Sequence, residues 1–353
     1  MNSMNSKNSM NPITPILVSV IVVNWNGKHL LAECLGSLVE QEQPDVEIIL
    51  VDNGSTDGSA AYVRETYPAV RLLELPENLG FAGGNNAGIR IARGKYIALL
   101  NNDTRTDRAW LSRLVSEAES GPSSVGMWAS KILSYDHPDT FDNIGLLLYP
   151  DGLGRGKGRL EKDQGQYDAA QEAFFPSGCA ALYRASLLGE IGLLDEDFFA
   201  YADDVDIGLR ARWAGWKCRY VPGAIVYHKY SASSSAYSPF KAYLVERNRI
   251  WVLLKYFPLE LILISPLFTL QRMILHLFGA MSGKGASGRF SEQQSLLSVP
   301  RILLRAWGAV LLSLPRMVRQ RMAGRLIRRI NRREFYRLLC TYRISAREVA
   351  LKE

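Results

Sequence analysis

Cysteine and histidine are both scarce, with four of each in 353 residues. The cysteines lie far apart and include no CxxC pair: Cys34, Cys179, Cys218 and Cys340. This spacing lacks the paired ligands of a structural zinc site and does not suggest a disulfide framework. Residues 1–15 are polar and have no apolar core like that of a secretory signal peptide. We therefore expect a disordered tail at residues 1–15, free thiols and a cytoplasmic location.

The C-terminal third is apolar, but charges interrupt it. The uncharged run from Leu261 to Gln271 has 11 residues, whereas a spanning helix needs roughly 20. Residues 241–353 hold 21 Lys and Arg against 6 Asp and Glu, while residues 1–240 hold 21 against 29. Leucine, tryptophan and methionine mixed with arginine are typical of helices that lie in a membrane interface. We predict a basic, apolar helical region at 241–353 that associates with membrane. A core helix pair with a solvated basic face is the alternative, and the apolar content disfavours a nucleic-acid surface.

Strand and helix patterns alternate through the first 120 residues. "ILVSVIVVNW", "VEIILVD" and "KYIALL" are short, β-branched or aliphatic runs typical of buried strands. Each is followed by a segment with apolar residues at helical spacing, for example "GKHLLAECLGSLVEQ". This alternation predicts an α/β fold with a mostly parallel sheet flanked by helices. Residues 151–170 are rich in glycine and charge, and they predict a flexible loop.

Polar clusters follow the predicted strands, at the edge where ligands bind in such sheets. Asn24 follows the first strand, Asp52 the second, and "NNDT" (101–104) the fourth. Asn and Asp also favour ordinary turns, and this explains each cluster taken alone. An acid at a strand tip has a second use, because Asp52 can accept hydrogen bonds from a nucleobase or ribose. Asp103 can bind Mg²⁺ or Mn²⁺ together with substrate phosphates.

Two further segments carry chemistry-bearing residues. "NLGFAGGNNAG" (78–88) is not the GxGxxG of dinucleotide-binding folds, but its glycines let backbone approach a ligand closely. "DEDFFAYADDVD" (195–206) mixes six acids with three aromatic rings. It is either a solvated loop that caps the next helix or a place where a sugar stacks and a crowded carboxylate acts as base. His228, at the end of the last predicted strand, is either structural or a metal ligand beside Asp103.

These motifs, in this order, resemble the inverting glycosyltransferases of family 2, which have the GT-A fold. "VSVIVVNWNG", "ILVDNGSTDGS", "NLGFAGGNNAGI", "ALLNNDT", "GLLDEDFFAYADDVDIGLRARWAGW" and "VYH" carry the likeness, which covers about residues 16–240. The subgroup looks like the bacterial rhamnosyltransferases that build surface polysaccharides, and "ERNRIWVLLKYFP" in the tail is similar to theirs. The resemblance implies a GT-A domain at 16–240 followed by the membrane-associating helical region.

The resemblance also implies roles for single residues. Asp204 would be the catalytic base, with Asp203 standing where the family commonly has Glu. Asp103 matches the second acid of the family's DXD motif, and His228 would be a further metal ligand. Asn101 stands where the first acid often is, which leaves one fewer charge on the metal. Residues implied in nucleotide-sugar binding are Asn24, Asp52, Asn78, Gly80 and Asn102. Those implied in acceptor binding are Asp195, Phe199 and Tyr201.

The expected activity is therefore a metal-dependent, inverting transfer of a sugar from a nucleoside diphosphate. The expected donor is dTDP-rhamnose, and the expected acceptor is a lipid-linked glycan at the cytoplasmic face of the membrane, in surface polysaccharide or O-antigen synthesis. The alternatives are a transferase that uses a UDP-sugar and a non-catalytic scaffold subunit that binds a sugar nucleotide. Asn101 keeps the scaffold hypothesis open, and the joint presence of Asp103, Asp204 and His228 argues against it.

Overall fold

The structure, a computed structural model, describes residues 16–229, 238–283, 285, 289 and 298–352. The tail expected at 1–15 lies outside the described residues. Twelve strands are assigned in the described part: β1 Val18–Asn24, β2 Val46–Asp52, β3 Arg71–Glu74, β4 Tyr96–Asn101, β5 Thr104–Thr106, β6 Val125–Ser134, β7 Phe141–Asn143, β8 Leu146–Leu148, β9 Gly154–Gly156, β10 Glu172–Ala173, β11 Ala180–Arg184 and β12 Lys217–His228.

The helices fall into two groups. Those among the strands are α1 Lys28–Val39, α2 Ser59–Thr66, α3 Gly80–Ile91, α4 Trp110–Ser120, α5 Ala185–Ile191 and α6 Asp203–Trp213, with a short 3-10 helix at Glu196–Phe198. Those after the strands are α7 Pro239–Tyr256, α8 Leu259–Ser282, α9 Ser298–Ile327, α10 Arg332–Thr341 and α11 Ala346–Leu351. The predicted α/β class and the helical C-terminal region are therefore confirmed.

The main sheet has the order β10-β12-β6-β11-β4-β1-β2-β3. Strands β3, β2, β1 and β4 are parallel, and β11 is antiparallel to both β4 and β6. Strand β12 is parallel to β6. Since β11 runs opposite to both β4 and β6, strands β4 and β6 run in the same direction, and so does β12. The carboxyl end of β12 therefore lies at the same edge of the sheet as the ends of β1, β2 and β4.

Both faces of the sheet are covered, as its β-branched strands predict. Along β1, Ile21 belongs to one hydrophobic core while its neighbours Val20 and Val22 belong to the other. This alternation follows from the two-residue period of a strand. The segment 151–170, predicted as a flexible loop, consists mostly of turns and irregular structure. It contains β9, which pairs with β8, and Lys131 of β6 binds Asp163 and Asp168 within it.

The C-terminal helices join the domain through α7. Trp251, Val252 and Leu253 of α7 belong to the same core as sheet residues. A buried charge network adds a second attachment: Arg272 of α8 donates to Asp151 at 2.6 Å and to Glu246 of α7 at 3.1 Å. Buried charges of this kind persist only when they are paired. Helices α7 and α8 are therefore held in a fixed position on the domain.

Helices α8 and α9 keep many large apolar side chains exposed. On α8 they are Leu259, Leu263, Ile264, Leu267, Leu270, Ile274, Leu277, Phe278 and Met281. On α9 they are Leu304, Trp307, Leu311, Leu312, Val318, Met322 and Leu326. Among the described residues α8 is the one helix long and apolar enough, by length and composition, to cross a membrane. Exposed apolar faces of this extent mark an interaction surface.

Candidate active site

The predicted nucleotide residues meet at the carboxyl edge of the sheet. Asn24 and Asp52 are direct partners in the β1–β2 register. Asn102 donates to Asn24 Oδ1 at 2.8 Å, and Asn24 donates to Asp52 Oδ1 at 3.4 Å. All three side chains are buried. The backbone N–H of Ser55 donates to the second Asp52 oxygen at 3.2 Å, which fixes the carboxylate at the strand tip.

Asn53 connects this group to the loop before α3. Its Nδ2 donates to Asn78 Oδ1 and to the Gly80 carbonyl, both at 3.0 Å, and its Oδ1 accepts from the Leu79 N–H at 2.9 Å. Gly80 has a φ of +74°, and a Cβ there would lie 2.4 Å from the Phe199 carbonyl. Only glycine fits such a close approach with positive φ. Asn78 and Gly80 therefore lie between the nucleotide residues and the acidic loop.

Asp103 and His228 come together as predicted. Residues 104 and 228 are partners in the β5–β12 pairing, and His228 Nε2 lies 3.3 Å from Asp103 Oδ1. The other ring nitrogen, Nδ1, lies 2.8 Å from Asp142 Oδ2. A carboxylate on the far nitrogen is the usual support of a metal-binding histidine. Among the described residues no cluster of three or more His, Cys, Asp and Glu side chains suits a metal, so substrate phosphates would have to complete the coordination.

The protonation of His228 bears directly on cation binding. Burial of the ring opposes its charge, but the Cys179 sulfur and the Asp103 and Asp142 carboxylates outweigh burial, and the pKa of His228 is raised well above its usual value. A protonated ring has no lone pair for a cation. Cation binding at His228 would therefore release a proton and strengthen as pH rises.

Replacing Asp142 by asparagine is expected to weaken Mn²⁺ binding, measured in the presence of nucleotide, about 10- to 100-fold. The amide no longer carries the charge that orients the His228 ring and raises its basicity. Isothermal titration of the purified protein measures the affinity. Asp139→Asn is the matched control, because Asp139 is exposed and pairs with Lys162 at the surface. Equal affinities of Asp142→Asn and wild type would show that Asp142 does not support a metal ligand.

The acidic pair occupies the first turn of α6. Asp203 is buried, and burial and the Asp204 charge raise its pKa well above the usual range. Asp204 is half-buried, and burial raises its pKa although the N–H groups of Gly178 and Val205 donate to it at 3.0 and 2.9 Å. The carbonyl of Cys179, the residue after Gly178, accepts from the Asn101 N–H at 2.9 Å. Asp204 therefore lies beside the tip of β4.

The loop that precedes α6 has an unusual backbone. Phe199, Tyr201 and Ala202 all have positive φ, between 61° and 67°. Non-glycine residues adopt this conformation at a cost, and such strain is concentrated at functional sites. Asn248 of α7 fixes the loop by donating from Nδ2 to the carbonyls of Phe198, Ala200 and Tyr201, at 3.0, 2.9 and 2.7 Å. Its side chain is fully buried.

Asp195 lies in this loop but does not face the site. Its carboxylate accepts from Lys255 of α7 and Gln320 of α9, both at 2.9 Å. Burial opposes this charge, but Lys255 outweighs it and lowers the pKa of Asp195. The carboxylate is thus engaged in attaching the loop to the C-terminal helices. Phe199 and Tyr201 lie closer to the acidic pair along the chain, and Phe199 contacts Phe240 with ring centroids 6.0 Å apart.

Sequence reasoning missed the residues that support the predicted ones. Asn53, Asp142 and Asn248 each hold a predicted residue or loop in place, and of the three Asn53 alone adjoins a predicted residue in sequence. For Asn248 the sequence offers no signal, because it stands between Arg247 and Arg249 in "ERNRIWVLL" like one more polar residue of the helix. For Asp142 the sequence offers none, since it lies 86 positions from His228.

Replacing Asn248 by alanine is expected to lower kcat about tenfold or more while the donor KM stays near the wild-type value. The three carbonyls lose their donor and the loop next to Asp204 moves, and small displacements of catalytic groups are costly. Steady-state kinetics with the donor varied measures both constants. Asn331→Ala, which removes the cap of α10, serves as the control for loss of stability alone. A donor KM that rises while kcat is unchanged would contradict a positioning role for Asn248.

Comparison with known proteins identifies sequence relatives among the glycosyltransferases. Residues 19–192 match the family model described as "Glycosyl transferase family 2". The N-acetylglucosaminyl-diphospho-decaprenol L-rhamnosyltransferase of Mycobacterium tuberculosis is 28% identical over 248 residues, which cover 63% of this chain and 79% of that protein. The succinoglycan biosynthesis protein ExoO of Rhizobium meliloti is 34% identical over 122 residues, 34% of each chain.

Solved structures share the fold. The mannosyltransferase PcManGT of Pyrobaculum calidifontis, in complex with GDP-Man and Mn²⁺, has a TM-score of 0.51 at 18% identity and covers 88% of this chain and 87% of its own. S. aureus TarS 1–349 in complex with UDP-GlcNAc has a TM-score of 0.52 at 17% identity, with 92% and 91% covered.

The fold is of the GT-A type, and the family match identifies a glycosyltransferase. Residues 19–192 form a glycosyl transferase family 2 domain, and inversion of the anomeric configuration is characteristic of that family. Among the relatives of this chain is a bacterial rhamnosyltransferase, that of M. tuberculosis.

Proposed function

We propose that the enzyme transfers rhamnose from dTDP-rhamnose to a lipid-linked glycan in surface polysaccharide synthesis, at the cytoplasmic face of the membrane. The observation that carries the proposal is the meeting of three groups at one edge of the sheet. Asn24 and Asp52 form the nucleotide group, and Asp103 and His228 form the cation pair. Asp204 is the base. It accepts from the N–H of Gly178, and the next residue, Cys179, is hydrogen-bonded to the end of β4. Residues 16–240 form the proposed catalytic domain, and 241–353 the proposed membrane-associating region.

In this proposal Asp204 takes the proton of the acceptor hydroxyl as its oxygen attacks the anomeric carbon. The bond from that carbon to the diphosphate breaks on the opposite face, so a single displacement inverts the configuration. A raised pKa improves a carboxylate as a general base. Asp204 is the more exposed of the two carboxylates, whereas Asp203 is buried, so we assign the role of base to Asp204. The Gly178 N–H holds the Asp204 oxygen in position.

Asp103 and His228 would hold a divalent cation, which neutralises charge on the departing diphosphate when it is bound. The fit rests on the support of His228 by Asp142 and on the burial of all three side chains at the substrate edge. Asn24, Asp52 and Asn102 bind the base and ribose of the nucleotide in this proposal. Asn78 and Gly80, which lie between these nucleotide residues and the acidic loop, face the donor in this proposal.

The acceptor would enter along the acidic loop and the start of α7. Phe199 and Tyr201 offer ring faces for the acceptor sugar. Arg247 donates to the Asp197 and Phe198 carbonyls at 3.0 Å, and its guanidinium lies 5.5 Å from the Tyr243 ring, against which Arg305 of α9 also lies at 4.8 Å. Guanidinium groups suit a diphosphate. The M. tuberculosis relative is named for a diphospho-decaprenol substrate, in keeping with such an acceptor.

Membrane association would use the exposed apolar faces of α8 and α9. Arg272 is buried in its network with Asp151 and Glu246, and withdrawing α8 into a bilayer core would break these ion pairs. Breaking a buried pair costs about 3–5 kcal/mol. We therefore propose that α8 lies in the interface, apolar side down, as a peripheral attachment.

A UDP-sugar donor is the second candidate, since the TarS neighbour was solved with UDP-GlcNAc. Thermal shifts of the purified protein with UDP, dTDP and GDP, each with and without Mn²⁺, separate the donor classes. A ligand that binds only the folded state raises the melting temperature by mass action. We expect a Mn²⁺-dependent rise with dTDP. A rise with UDP alone would replace the donor assignment, and no rise with any nucleotide would favour the non-catalytic scaffold.

A further inference from the structure

A cavity of about 230 Å³ lies where α7 ends and α8 begins, closed on one side by α9. Its lining consists of Trp213, Tyr256, Pro258, Leu259, Glu260, Arg321, Arg325, Arg328 and Arg332. One water molecule takes about 30 Å³ of liquid volume, so the cavity has room for a small phosphate ester. Four arginines against one carboxylate make it strongly positive.

Several of these arginines are held in place. Arg321 donates to the carbonyls of Leu254 and Phe257, at 2.8 and 2.7 Å, and so sits at the end of α7. The guanidinium of Arg328 lies 5.2 Å from the Trp213 ring centroid. Burial and the neighbouring Arg325 and Arg328 charges lower the pKa of Arg321. The cavity thus concentrates positive charge that a bound anion would relieve.

The cavity opens beside exposed leucines. Leu259 is itself 65% exposed and is followed one turn later by Leu263, 71% exposed. On α9, Met322 and Leu326 lie one position after Arg321 and Arg325, and Leu326 is 89% exposed. Residues four apart lie on the same helix face, so the apolar stripe runs directly beside the arginine stripe. A ligand that is anionic at one end and apolar at the other matches both.

The cavity is separate from the transfer site. Trp213 ends helix α6, whereas Asp204 lies in its first turn. At 1.5 Å per residue the two ends are roughly 15 Å apart. An anion bound at Trp213 therefore cannot be the departing diphosphate at the sheet edge.

We propose that this cavity binds the phosphate head group of an anionic phospholipid, such as phosphatidylglycerol, while Leu259, Leu263, Met322 and Leu326 enter the acyl region. Guanidinium groups bind phosphate through paired hydrogen bonds. The inference rests on the proposed interfacial attachment of α8 and α9. It adds a specific site that would fix which way the enzyme faces on the membrane.

Co-sedimentation of the full chain with vesicles tests the site. One set contains phosphatidylcholine alone, and the other about one third phosphatidylglycerol. A basic residue near an anionic surface contributes about 1 kcal/mol, or roughly fivefold, through general attraction. We expect Arg325→Gln to lower partitioning onto the anionic vesicles more than about tenfold. Arg319→Gln, on the same helix but about 120° around its axis, should lower it by about fivefold or less.

Equal losses for the two variants, in proteins with unchanged melting temperatures, would show general attraction only and overturn the site. Inorganic phosphate at constant ionic strength provides the second arm. If it raises the melting temperature of wild type but not of Arg325→Gln while the vesicle results are equal, the site takes free phosphate and the lipid assignment is wrong. Transfer of the sugar from the nucleotide to a lipid-linked acceptor in detergent solution should proceed at the same rate in both variants. Its absence from wild type would instead refute the proposed function.

Discussion

The substitution Asp204→Asn is expected to lower kcat at least about a hundredfold while nucleotide binding stays unchanged. A positioned general base contributes about 10²–10⁴ to the rate, and an amide cannot take the acceptor proton. The substituted side chain still offers an amide oxygen to the Gly178 or Val205 N–H, so the start of α6 should keep its fold. Initial rates with saturating donor and acceptor, together with nucleotide affinity by titration, measure the two effects separately.

Asp197→Asn is the matched control. Asp197 lies in the same loop, but its carboxylate is half exposed and pairs with Arg316, so its loss should change kcat little. The pH profile adds a second readout. A base with a raised pKa loses activity as pH falls through that pKa, so the acid limb of kcat/KM in wild type should lie above the usual range of an aspartate. Full activity in Asp204→Asn would refute the assignment of Asp204 as base.

The substitution Asp103→Asn is expected to abolish the Mn²⁺ dependence of nucleotide binding and to lower kcat/KM about a hundredfold or more. It removes the one carboxylate of the Asp103–His228 pair, and metal neutralisation of a leaving diphosphate accounts for several kcal/mol of transition-state stabilisation. Titration of nucleotide with and without Mn²⁺ measures the dependence directly.

Asn101→Asp is the informative partner variant. It places an acid two positions before Asp103, where the family's DXD motif often has one, and should tighten Mn²⁺ binding in the presence of nucleotide. If Asp103→Asn keeps its Mn²⁺ dependence and Asn101→Asp gains nothing, the cation does not bind at the tip of β4. The two changes act in opposite directions, so a general loss of stability cannot imitate both.

The residues at the tips of parallel strands could be predicted from the sequence. The apolar runs of β1, β2 and β4 stop where polar residues begin, which shows where each strand ends. Parallel strands end at one edge of the sheet, so Asn24, Asp52 and Asp103 had to be neighbours. His228 was harder, because its strand reaches the same edge only after β11 reverses the direction of the sheet. The residues alone left His228 either structural or a ligand beside Asp103, and the resemblance to the family favoured the ligand. The β5–β12 pairing supplies the physical reason why the two residues are neighbours.

Contacts between distant segments could not be predicted. Nothing near Asn248 indicates that it holds three carbonyls of the acidic loop, since that depends on how α7 packs. Asp195 looked like one more acid in a catalytic cluster, but Lys255 and Gln320, 60 and 125 positions away, engage it. The change of composition near residue 241 was visible. The sequence did not show that α7 and the sheet share one hydrophobic core, because burial depends on contacts with residues that are distant in sequence.

The configuration of the product tests the proposed mechanism most sharply. The purified enzyme is incubated with dTDP-rhamnose, Mn²⁺ and a polyprenyl-diphosphate-linked N-acetylglucosamine, and the new glycosidic bond is examined by NMR. We expect Mn²⁺-dependent transfer with an anomeric configuration opposite to that of the donor, and none with Asp204→Asn. A product that retains the donor configuration, or transfer that persists in Asp204→Asn, would contradict single displacement by this base.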